Sequence, residues 1–125
     1  MIIGLHPIIY LDEADATRAF LRDVLGLPSV DAGGGWLIFA SPPGELASHP
    51  TAGAGRPTGH QELYLMCDDI QATVRELSSK GVEFTTDVSE APFGLLTALR
   101  LPGAGQLWLY EPRHPTALHL GPAGA

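Results

Sequence analysis

His6 and Glu62 are the residues whose types and placing first point to chemistry. An imidazole and a carboxylate are both competent ligands for a divalent ion. Sliding the chain by 56 positions lays His6 on Glu62, Asp12 on Asp68, Ala16 on Ala72, Thr17 on Thr73 and Leu21 on Leu77. The two residues therefore hold equivalent places in an internal repeat. Other reactive patterns are missing. No Ser-His-Asp or Cys-His arrangement occurs. Gly33, Gly34 and Gly35 are not followed by a helix, so they make no phosphate cradle and no nucleotide cofactor is expected. Asp68 and Asp69 read as helix caps. His60 reads as an exposed loop histidine, and Arg113 and His114 receive no role.

The elements that must position His6 and Glu62 come from periodicity. Glu62 to Phe84 reads as strand, turn, amphipathic helix, turn and strand. Leu63, Leu65 and Cys67 alternate with Glu62, Tyr64 and Met66, which is the period of a strand. Ile70, Val74 and Leu77 share one helical face, and Gly81 supplies the stop. The N-terminal copy has a strand over residues 2–10, with Pro7 marking an edge or an end. Its helix over 14–25 carries an apolar face of Ala16, Phe20 and Val24 and stops at Gly26. Short strands are expected at 27–30, 36–40 and 45–49, the last two joined across Ser41-Pro42-Pro43-Gly44. In the second copy, strands are expected at 82–86, 95–101 and 106–110, with a loop over 88–93. The division is a first βαβββ module at 2–48, a Gly- and Pro-rich linker at 49–60, a second module at 61–112 and a tail at 113–125. The whole is one α+β domain.

Charge narrows the partners. Lys plus Arg is 7 against 14 Asp plus Glu, a net charge of −7. That balance argues against nucleic acid and anionic membranes, which need a basic patch. The single cysteine, Cys67, lies in an apolar strand and reads as a buried thiol in a reducing, cytoplasmic setting. The apolar N-terminus is short and lacks a basic leader, and no stretch is long enough to span a membrane.

Three segments carry a family resemblance: Asp15 to Pro28 (DATRAFLRDVLGLP), Cys67 to Val74 (CDDIQATV) and Leu109 to Pro112 (LYEP). With the duplicated βαβββ order, the chain resembles the vicinal oxygen chelate superfamily over residues 2 to 113. That superfamily includes glyoxalase I, extradiol dioxygenases and bleomycin resistance proteins. The resemblance implies two modules whose mixed sheets curl into a cup around one site. It also implies pairing between chains, hence a homodimer.

The resemblance implies a ligand set as well. Metal ligands in the superfamily come from the first and last strands of each module. Carried over, the first-strand places fall on His6 and Glu62. The last-strand place of the first module falls on His49, or on Ala47 after a two-residue register shift. The remaining place, usually a carboxylate, falls on Trp108. His6, His49 and Glu62 would suit Zn, Ni, Fe or Mn with open positions for substrate. Ile8, Tyr10, Tyr64, Met66, Trp108 and Tyr110 would line the cup as a substrate-binding surface. Two functions follow as expectations. One is a metal-dependent lyase, isomerase or dioxygenase that polarises vicinal oxygens of a small substrate. The other is a metal-free protein that sequesters a drug or aromatic metabolite.

Overall fold

The computed structural model describes residues 6–10 and 12–120. The fold is α+β: two helices against a curled mixed sheet. The order is α1 (Ala14–Ala19), running on into a π-helical turn (Phe20–Val24), then β1 (Ser29–Asp31), β2 (Leu37–Phe39), β3 (Tyr64–Met66), α2 (Ile70–Ser79), β4 (Ser89–Ala91), β5 (Gly94–Leu101) and β6 (Gly105–Pro112).

Local chemistry accounts for α2. The Asp69 carboxylate accepts from the Ala72 amide at 3.0 Å, an N-cap. Glu111, reaching over from β6, accepts from the Ile70 amide at 3.0 Å. Ile70 and Leu77 are buried, as the spacing requires. Gly81, at φ +86°, ends the helix, and the Val82 amide returns to the Leu77 carbonyl at 3.0 Å.

The first helix departs from its expected face. Ala16 is exposed, while Thr17 and Phe20 are buried and Leu21 and Val24 pack beside them. The inward face is thus 17, 20, 21 and 24 rather than 16, 20 and 24. The cause is distant in sequence: the Thr17 hydroxyl donates a short hydrogen bond to the Pro102 carbonyl in the β5–β6 turn. Gly103 in that turn lets the helix approach, since a Cβ there would stand 2.5 Å from the Glu13 carbonyl oxygen. The Leu25 amide then bonds to the Phe20 carbonyl at 3.1 Å, the wider step of a π turn.

The main sheet runs β3-β6-β5-β4, with β3 parallel to β6 and the other pairs antiparallel. Its register places Tyr64 beside Trp108 and Trp108 beside Ala98, with Met66 beside Tyr110 and Tyr110 beside Leu96. Alternation then sends Leu65, Leu99, Leu101, Leu107 and Leu109 to the opposite face. There Leu99, Leu101 and Leu107 join Phe20, Leu77 and Val82 in one buried cluster. Both helical segments, through Phe20 and Leu77, share this core.

Several expected strands differ. Residues 6–10 and 45–49 form no strand, and β1 and β2 make a separate two-stranded sheet. A strand persists where its ladder and its apolar face both find partners. Here Ile8, Tyr10 and Leu46 are 65%, 90% and 84% exposed, so among the described residues these faces are left largely uncovered. The stretch at 82–86 is reduced to a bridge between Phe84 and Leu99. The expected loop at 88–93 instead contains β4, paired to β5. Residues 49–60 carry turns but neither helix nor strand.

Candidate functional site

The core-free face of the main sheet carries a cluster of rings. Tyr64 on β3 and Trp108 on β6 are register partners, and their rings stack at 6.1 Å and 22°. Tyr110, two residues further along β6, meets Tyr64 edge-on at 5.9 Å. Phe93, in the β4–β5 turn, stands edge-on to Tyr64 at 6.1 Å and to Tyr110 at 5.3 Å. These are the offset and T-shaped geometries that aromatic quadrupoles favour. Phe93 is 37% exposed, and Tyr64 and Trp108 are half-buried, so the cluster has an open side.

One end of the cluster is charged. Glu62 accepts from His60 Nε2 at 3.0 Å and Arg56 Nε at 3.1 Å on one oxygen, and from the Tyr64 hydroxyl at 3.0 Å on the other. These bonds, His60's first and then those of Arg56 and Tyr64, lower the Glu62 carboxyl from 4.5 to about 2. Because the folded value is depressed, the network stabilises the fold fully above about pH 4.5 and loses that contribution as pH falls towards 2. A carbon-13 titration of the Glu62 carboxyl should give a midpoint near 2, moving upward in Arg56→Ala. A midpoint unmoved by that substitution would refute the network.

The other end holds Glu45 and His114. The His114 ring stacks on Tyr110 at 5.9 Å and 25°, and its Nε2 lies 3.1 Å from the Tyr110 hydroxyl. Glu45 accepts from the Ala117 amide at 2.7 Å and stands 3.8 Å from His114 Nε2. Burial raises the Tyr110 phenol, and Glu45 adds to the shift. Burial likewise raises the Cys67 thiol, which keeps it protonated and a poor nucleophile.

Of the residues the sequence nominated, Tyr64, Met66, Trp108 and Tyr110 lie on this one face. Ile8 and Tyr10 are exposed, and neither joins the ring cluster among the described residues. The metal trio is not gathered. His6 is exposed, His49 is exposed with Nδ1 donating to the Pro50 carbonyl at 2.6 Å, and Glu62 is held by Arg56, His60 and Tyr64. Among the described residues no three His, Cys, Asp or Glu side chains stand close enough to hold an ion. A guanidinium on Glu62 also opposes a cation there. The donor set of one chain therefore does not fit a resident metal.

Phe93, Arg56 and Glu45 are not singled out by the sequence, which reads His60 as an exposed loop histidine that could approach the site and gives His114 no role. Arg56 left one signal, as the only Lys or Arg of a linker without acidic residues. The others reach the site through turns whose paths no period encodes.

Two hollows adjoin the sheet. A cleft of about 210 Å³ runs past Ile9, His60, Glu62, Leu63, Gln106 and Trp108, at the charged end of the cluster. A larger open groove of about 700 Å³ lies beside α2, lined by Gln71, Val74, Ser78, Phe84, Thr86 and Thr97. Trp108 of the ring cluster and the anchored Glu62 carboxylate line the smaller one, which we take as the site.

The chain is thus an α+β fold with a curled mixed sheet and a cluster of rings on the face away from the core. The family model of the Glyoxalase/Bleomycin resistance protein/Dioxygenase superfamily matches residues 4–108, and the chain belongs to that superfamily. Among solved structures it is similar to the antibiotic-binding protein TnmS3 of Streptomyces sp. CB03234, with 20% identity, 90% of this chain and 98% of that one covered, and a TM-score of 0.61. A superfamily member from Sphaerobacter thermophilus DSM 20745 shows 25% identity, coverage of 88% and 98%, and a TM-score of 0.58. A lactoylglutathione lyase from Agrobacterium tumefaciens shows 18% identity, coverage of 87% and 92%, and a TM-score of 0.60. No curated protein matches the chain in sequence. No described helix is long and apolar enough to cross a membrane.

Proposed function

We propose that this protein binds and sequesters a planar aromatic small molecule against the Tyr64–Trp108 pair. The observation that carries the reading is the half-open stack of those two rings, walled by Phe93 and Tyr110. A flat ligand would gain dispersion and apolar burial on such a surface. The fold-level likeness to an antibiotic-binding protein is compatible with it. Trp108 occupies the place where the superfamily resemblance expects a carboxylate, and Glu62 already has its oxygens bonded. Both favour sequestration over the metal-dependent lyase, isomerase or dioxygenase reading.

A homodimer belongs to the same proposal. The cleft, about 210 Å³, is below the ~300–1,000 Å³ usual for a ligand pocket, so one chain encloses a ligand poorly. Tyr10, Leu46, Val30 and Ile8 are 90%, 84%, 66% and 65% exposed, and a second copy would cover them.

The test is a titration of 9-aminoacridine, anthraquinone-2-sulfonate and 4-nitrophenol into the protein, with and without EDTA, followed by tryptophan fluorescence. At least one polycyclic probe should bind in the micromolar range, unaffected by the chelator. Binding lost in EDTA and restored by a divalent ion would return the metal-dependent reading. Sedimentation in the same buffer should show twice 13.2 kDa, and a lone 13.2 kDa species would contradict the dimer.

A further inference from the structure

The chain turns back over the ring cluster after β6. The Arg113 amide donates to the Phe93 carbonyl at 2.9 Å, which fixes the start of the return. Four residues on, the Ala117 amide is fixed by Glu45 at 2.7 Å. Glu45 is the one residue between Ala40 and Pro50 that is not exposed, and its side chain is only 17% exposed. A carboxylate held inward on an otherwise open loop implies that its bond to the return segment has a use. Between the two anchors lies His114. Its Nδ1 faces the Pro115 carbonyl at 2.8 Å, and a carbonyl can only accept, so Nδ1 carries the proton. Nε2 lies within hydrogen-bond distance of the Tyr110 hydroxyl, at 3.1 Å. Tyr110 is 8% exposed, whereas its neighbours Tyr64 and Trp108 keep more open surface.

We infer that residues 113–117 are a strap, latched by Glu45, whose His114 ring fills the stacking place on Tyr110 and so limits the size of aromatic ligand the cup accepts. Latched, the strap leaves the Tyr64–Trp108 pair and Phe93, room for a small ring system. Lifted, it bares Tyr110 and extends the platform for a polycyclic ligand, which must displace His114 to lie flat. Large ligands thus bind at the cost of the Tyr110–His114 and Glu45–Ala117 contacts, and small ones do not. His114 and Glu45 are specificity-determining residues on this account, which rests on the aromatic-binding reading above.

The experiment uses the full chain and the variants His114→Ala, His114→Phe and Glu45→Ala. The probes are 4-nitrophenol, with one ring, and anthraquinone-2-sulfonate, with three. His114→Ala should bind the three-ring probe about tenfold more tightly, the worth of one lost stacking contact, with 4-nitrophenol unchanged. His114→Phe should restore the wild-type discrimination. In Glu45→Ala, hydrogen exchange at the Ala117 amide should quicken at least about tenfold while the β5–β6 amides keep their protection. Unaltered exchange at Ala117 overturns the latch. Equal gains for both probes, or none, overturn the size limit alone. No binding of either probe by any variant overturns the aromatic-binding reading and the size limit with it, and the exchange result still decides the latch.

Discussion

Trp108→Ala should weaken binding of a polycyclic aromatic probe by about 10- to 100-fold, the ~1–3 kcal/mol that a stacking side chain contributes by truncation. Trp108 sits mid-strand on β6, flanked in register by Tyr64 on one side and fully buried Ala98 on the other. The strand fixes its direction, and Tyr64 fixes its plane at 22°. Truncation leaves Tyr64 with no parallel partner, since its remaining contacts are edge-on at 81° and 85°. A ligand then loses one wall and the packing that held the other. The fold should survive, because Trp108 lies on the face away from the buried cluster. Titration and a thermal melt on the same sample separate the outcomes. Unchanged affinity would remove the stack from the binding account, and restored affinity in Trp108→Phe would show that a ring, rather than the indole N–H, is what matters.

Phe20→Ala should lower the free energy of unfolding by about 3–5 kcal/mol, a large share of the ~5–15 kcal/mol typical of a domain. Phe20 is 7% exposed and lies in the helical segment near the N-terminus. Its neighbours in the buried cluster are Leu77 of α2, Val82, and Leu99, Leu101 and Leu107 of the main sheet. The substitution therefore empties a cavity in the core that joins the N-terminal helical segment to α2 and the main sheet. Urea unfolding should show one cooperative transition displaced to lower denaturant, with the slope preserved. Two separated transitions, the second at the wild-type position, would mean that the main sheet and α2 hold together without the N-terminal helical segment.

The contrast between the two helices shows what is local and what is not. The limits and face of α2 were legible because Asp69, the Ile70–Val74–Leu77 spacing and Gly81 all act within a few residues. The first helix was legible as a helix, but its inward face was not. That face is set by the bond from Thr17 to Pro102, made 85 residues away. The same division runs through the site. Alternation along β3 and β6 was enough to put Tyr64, Met66, Trp108 and Tyr110 on one face, because a strand sends every second side chain the same way. Phe93, Glu45 and His114 come to that face by way of turns, and a turn's path depends on contacts far along the chain. The donor chemistry of His6, His49 and Glu62 was readable from residue type. Their convergence depends on how residues 6–10 and 45–49 pair, and among the described residues neither segment forms a strand. Period and residue type thus determined the elements and the character of the cup's lining. Tertiary contacts decided which carboxylate is free, which ring is covered and which groups meet, because hydrogen bonds and packing between distant segments have no period in the sequence.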